Sequence, residues 1–201
     1  MHCIYANHLH LRIDGIRVAA SASKETVAVI ASRILLSAAL VLTAFAPAVE
    51  AAEPLDAQLE AYVADARSVV AAIHVGKADA QGPALQRLAE RADAMIAPFV
   101  ARFPVCADYL HATQALKTTW RNLSLERIEA DFHKDGALPK IEGAQDRALC
   151  YQMKDLLVHP LTGLRLLEEP ALDTASLRRE VDEVVAHGGA LKALVATRAT
   201  R

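Results

Sequence analysis

Beyond Pro54, apolar residues return every three or four positions, the step of an α-helix with one buried face. Leu55, Leu59, Tyr62, Ala66, Val69, Val70 and Ile73 form the first stripe. They predict a helix from Pro54 to about His74, with the proline in the first turn, where a missing N–H costs nothing. GKADAQG (76–82) reads as a turn. Leu85, Leu88, Ala92, Met95, Ile96 and Phe99 predict a second helix from Pro83 to about Arg102, and Pro98 inside it should kink or end it. Cys106, Tyr109, Leu110, Leu116 and Trp120 predict a third from about Val105 to Trp120. Ser124 suits the N-cap of a short helix through Phe132.

Residues 134–143 hold two glycines and a proline and read as a loop. A long helix should then run from Ala144 to about Glu168, bent by Pro160, which frees a backbone carbonyl one turn earlier, near Leu156. Asp173 or Thr174 caps a last helix to about Ala186. Gly188-Gly189 should stop it, leaving a short, frayed helix from Ala190. No stretch alternates with period two. The expected fold is therefore all-α: an antiparallel helical bundle of about four long helices plus short ones.

Ahead of the bundle, the pattern changes. Ile34 to Ala46 is an uncharged apolar run behind Arg33, followed by Pro47 and the small residues Val49 and Ala51. A basic flank, a short apolar core and a small-residue exit predict a secretory signal peptide cut before Ala52. A membrane span needs about 20 apolar residues, more than this run supplies. The expected division is residues 1–51 as N-terminal extension and cleavable signal, and 52–201 as a single helical-bundle domain. The long polar prelude, with His2, His8 and His10, suggests that translation starts lower down, for example at Val27 or Val29. The expected location is the periplasm or the exterior, with no membrane span in the mature form.

Composition then narrows the function. Residues 52–201 carry 18 Lys and Arg against 21 Asp and Glu, and seven aromatic residues. Neither a clustered basic face nor a stacking platform for nucleic acid is suggested. Two cysteines remain beyond the leader, Cys106 and Cys150, and an oxidising compartment predicts that they are bonded. There is no Cys-x-x-Cys for zinc, redox chemistry or covalent haem, no Gly-x-Ser-x-Gly elbow, no phosphate loop and no His-Glu-x-x-His.

One stretch is chemically richer. Tyr151, Asp155 and His159 lie at i, i+4 and i+8, on one helix face. A carboxylate one turn from a histidine can hold its ring and raise its basicity. Asp131, His133, Lys134 and Asp135 end the short helix before the loop. If the two groups meet, His133 and His159 with Asp131 or Asp155 offer a transition-metal site for Zn, Cu or Ni. The simpler expectation is a hydrogen-bonded polar stripe beside the proline. His187-Gly188-Gly189 reads as a helix end at which a cationic histidine favours the dipole, and His74 takes the same place on the first helix. Haem held without covalent attachment would pair Met95 or Met153 with His74, His111 or His133, although core methionines are usually packing.

The first functional reading is thus a non-enzymatic binding or interaction protein, with no cofactor, for a small ligand or protein partner. The alternative is a periplasmic transition-metal- or haem-binding protein using His133 and His159. An enzyme with an unfamiliar site stands third.

Overall fold

A computed structural model describes residues 53–199; the expected signal peptide and its cut lie outside the described residues. The described chain is helical, with four long helices: α1 (Leu55–His74), α2 (Gly82–Arg102), α6 (Ala144–Leu167) and α7 (Thr174–Ala199). Between α2 and α6 run three short ones: α3 (Ala107–Gln114), α4 (Leu116–Thr119) and α5 (Leu125–Ile128). Among the described residues no helix is long and apolar enough to cross a membrane.

The long helices form a ring in which each packs antiparallel to its sequence neighbour, and α7 closes back on α1. Asp56 at the start of α1 pairs with Arg102 at the end of α2. Leu85 of α2 and Leu177 of α7 both meet Gly163 of α6. Glu60 of α1 bonds Lys192 of α7. Inside, Leu59, Tyr62, Ala66, Leu85, Leu88, Phe99, Leu156, Leu157, Val181 and Val184 are among the side chains removed from water. Burial of such stripes, rather than local propensity, holds helices of this length together.

Both internal prolines, Pro98 and Pro160, lie inside unbroken helices. At Pro160 the reason is visible. Its missing N–H leaves the Leu156 carbonyl without its helical donor. The buried Tyr62 hydroxyl of α1 donates to that carbonyl instead.

Two expected boundaries fail. The third helix is broken into a 3₁₀ turn (Pro104–Cys106), α3, α4 and a second 3₁₀ turn (Trp120–Asn122). Thr113 donates to the carbonyl of Tyr109, and Thr118 and Thr119 both donate to that of Ala115. Hydroxyls taking helix carbonyls in this way bend the chain. The fourth long member of the ring is therefore α7, which runs straight through Gly188-Gly189 to Ala199. A Cβ at Gly188 would stand 2.5 Å from Val63 Cγ2. That glycine is there for the close approach of α7 to α1, not as a stop. At the start of α7 the Asp173 carboxylate accepts from the N–H groups of Ala175 and Ser176, as its capping role requires. Ser124 likewise accepts from Arg127 N.

Cys106 and Cys150 are bonded, with Cα atoms 5.3 Å apart. The bridge joins the turn after α2 to the first part of α6. It closes a loop that contains α3, α4, α5 and the turn bearing His133.

Candidate functional site

Three histidines from three segments meet on the side of α6 that faces α7. His159 is central. Its ring lies 4.6 Å from that of His133 and 5.0 Å from that of His187, stacked on the latter at 18°. His159 projects from the middle of α6, one turn after Asp155. Glu180, Glu183 and His187 stand at i, i+3 and i+7 on α7, so they share one face.

His133 ends a π turn, Glu129–His133. The last carbonyls of a helical segment lack helical donors. Lys154 of α6 supplies them: its fully buried ammonium donates to the carbonyls of Phe132 (2.6 Å) and His133 (3.3 Å) and to Asp135 Oδ1 (2.9 Å). The same ammonium lies 4.1 Å from the centre of the Tyr151 ring. Gly136 completes this corner, since a Cβ there would fall 2.4 Å from the Ala130 carbonyl oxygen.

The hydrogen bonds fix which nitrogen each ring offers. His159 Nδ1 donates to Glu180 Oε2 (2.8 Å), which leaves its Nε2 lone pair 3.4 Å from Glu183 Oε2. His187 Nδ1 donates to Gln152 Oε1 (2.6 Å), which leaves its Nε2 lone pair 3.5 Å from Asp155 Oδ2. Thr162 Oγ1 donates to the Val158 carbonyl and accepts from His133 Nε2 (3.0 Å), which also lies 3.8 Å from Glu180 Oε2.

Asp155 is the anomaly. It is fully buried, and neither carboxylate oxygen receives a hydrogen bond of sound geometry, although Lys154 Nζ stands 3.1 Å from Oδ1. Burying a carboxylate on these terms is expensive, and desolvation pushes its pKa up to about 7 against the pull of Lys154 and of the Tyr151 hydroxyl. Desolvation first, and then the neighbouring His159, pushes His133 and His187 down to about 4. Desolvation and Lys154 push His159 down to about 3. Burial raises Glu180 and Glu183 above the usual carboxylate range. At neutral pH all three imidazoles are thus uncharged, the form that binds metals.

Two groups of ligand atoms follow. One atom each from Asp155, His159 and His187 lie within 4.8 Å of one another, and so do one each from His133, His159 and Glu180. A tetrahedral zinc site with bonds of about 2.0–2.1 Å has edges of roughly 3.3 Å, so closure needs movements of side-chain scale. Glu183 and His187 are partly open to solvent and give an approach across α7.

Of the residues expected from sequence, His133, His159, Asp155 and Tyr151 come together here. Asp131 does not take part; its carboxylate pairs with Arg127 one turn back. Tyr151 lies at the rim, edge-on to His187 at 5.7 Å. His187 sits inside α7 and faces the cluster, which corrects its reading as a helix end. Glu180, Glu183 and Gln152 were not expected; the spacing of Glu180, Glu183 and His187 is a signal once α7 is taken as unbroken. Met95 and Met153 are core packing, while His74 and His111 are exposed. Compared with protein-family models, curated proteins and solved structures, the chain matches none.

Proposed function

We propose that this chain is an exported binding protein whose ligand is a divalent transition-metal ion, held by Asp155, His159 Nε2 and His187 Nε2, with Glu183 as a fourth donor. One observation carries the reading. The buried Asp155 carboxylate has Lys154 beside Oδ1, while its Oδ2 receives no hydrogen bond of sound geometry and looks at an imidazole lone pair. Two lone pairs facing each other out of water repel unless a cation or a proton lies between them.

The surroundings support the same reading. Imidazoles that ligate metals commonly donate their other N–H to a carboxylate or carbonyl, which fixes the tautomer and strengthens the donor. Glu180 does this for His159 and Gln152 for His187. Two imidazoles with carboxylates suit zinc, copper or nickel better than magnesium or calcium. A haem reading has no comparable support, and no group in the cluster is placed as a nucleophile.

Titration of the protein with zinc, followed by calorimetry, tests the proposal. Asp155→Asn and His187→Ala should abolish binding at this position. Gln152→Leu, which removes only the acceptor behind His187, should weaken binding about 10–100-fold. Unchanged affinity in both ligand variants would remove the reading. The export half is tested separately: the protein should be recovered outside the cytoplasm with Ala52 as its first residue.

A further inference from the structure

We propose that His159 is shared by two ions, its Nε2 serving the position just described and its Nδ1 serving a second formed with His133 and Glu180. The inference rests on the proposed function for its first ion. The second position uses atoms on the opposite edge of the same ring. Glu180 Oε2 lies 2.8 Å from His159 Nδ1 and 3.8 Å from His133 Nε2, and one ligand atom from each of the three residues lies within 4.8 Å of the other two. The two positions draw on different partners: His187 and Asp155 on one edge, His133 and Glu180 on the other.

At present a proton occupies the second position, between His159 Nδ1 and Glu180. An arriving ion replaces it. His159 passes from imidazole to imidazolate and releases one proton to solvent. His133 moves its own proton from Nε2 to Nδ1, so its hydrogen bond to Thr162 is given up and Nε2 turns to the ion. Thr162 keeps its bond to the Val158 carbonyl throughout. The first ion makes this step easier, because a cation on Nε2 withdraws charge from the ring and acidifies the remaining N–H. Filling is therefore ordered, first position before second.

The Glu180 carboxylate and the shared ring supply negative charge for the second ion. Arg179 also bears on Glu180, and its guanidinium is turned to the Ser176 hydroxyl. Lys154 opposes both positions and lies 3.1 Å from Asp155 Oδ1, but its charge is met also by Asp135 and two carbonyls.

Copper(II) titration of the full chain distinguishes the outcomes. The double variant His133→Ala/His187→Ala supplies the baseline for copper bound elsewhere, including at His2, His8 and His10. Above that baseline the unaltered chain should take two ions, and His133→Ala one. The doubly loaded form should lose electron-spin-resonance intensity through coupling across the imidazolate. Loading with one zinc and one copper should restore the intensity of an isolated copper. This spectroscopic arm needs no variant, so a misfolded His133→Ala does not blunt the test. A single ion above baseline, unaffected by His133→Ala and uncoupled, overturns the sharing and leaves the first position standing. No ion above baseline overturns both.

Discussion

Asp155 concentrates the cost and the use of the site in one side chain. Replacing a buried charged group normally destabilises a protein. Here Asp155→Asn should instead raise the stability of the metal-free protein by about 1 kcal/mol, since the cost of burying this carboxylate outweighs its pairing with Lys154, and an under-bonded buried polar group costs about 1–3 kcal/mol. Denaturant unfolding reads the sign directly, and the same variant should no longer bind zinc. The raised pKa of Asp155, about 7, also sets the pH response of binding. Below that pH an ion must displace a proton from the carboxyl. Affinity should therefore weaken as pH falls from about 7, with about one proton released per ion. Calorimetry in buffers of different ionisation enthalpy measures that count, and none released would contradict the role given to Asp155.

At the scale of the helix, Gly188 and Gly189 separate two physical effects that sequence alone confuses. Gly to Ala in a helix interior should stabilise by roughly 0.5–1 kcal/mol on propensity. Nothing lies within 4 Å of a Cβ at Gly189, so Gly189→Ala should show that gain. At Gly188 the added carbon meets Val63, so Gly188→Ala should cost about 1–3 kcal/mol through overpacking. Thermal unfolding of the pair checks the opposite signs; equal signs would mean that α1 and α7 do not approach as described.

These glycines also show why the sequence was only partly legible. The stripes of α1 and α2 were readable because their inward residues repeat at helical steps without interruption. The Leu156 carbonyl freed by Pro160 was readable because proline always removes that donor; its partner, Tyr62, was not, because it lies on another helix. A double glycine usually ends a helix, and only the neighbouring Val63 makes it a packing device. The same misreading hid Glu180, Glu183 and His187 as one ligand-bearing face. His133 with His159 could be suspected from residue type alone. That Asp131 turns to Arg127 was within reach of the sequence, since the two stand one turn apart; that Asp155 is buried facing His187 depends on the packing of α6 against α7.

For the molecule as a whole, two global variables should report on the fold. Closing a loop across the 44-residue separation of Cys106 and Cys150 is worth about 4 kcal/mol in the chain-entropy model. Reduction should lower the denaturation midpoint correspondingly; an unchanged midpoint would show that the bridge adds no stability. Acid should act through the histidines. Their values fall from 6.5 in the unfolded chain to about 4, 3 and 4 in the fold. Between 6.5 and about 4 the unfolded chain therefore binds protons that the folded one refuses, and stability drains away as pH falls through that window. Asp155, Glu180 and Glu183 act in the opposite sense, because their raised values let the fold keep protons the unfolded chain has lost. Three large imidazole shifts outweigh them. The melting temperature of the metal-free protein should fall across the window, and less steeply in His133→Ala.

The bridge lies wholly on the Cys106–Cys150 side of the bundle, and α7 contains no cysteine. The last helix is thus held by packing, by polar contacts and, in the reading proposed here, by whatever cation its Glu183 and His187 grip. A cargo that also fastens the carboxyl-terminal segment makes occupancy visible to a peptidase: empty copies should be trimmed from that end faster than filled ones. Mass spectrometry during limited digestion would record that difference, and equal trimming rates would mean that the cargo fastens nothing.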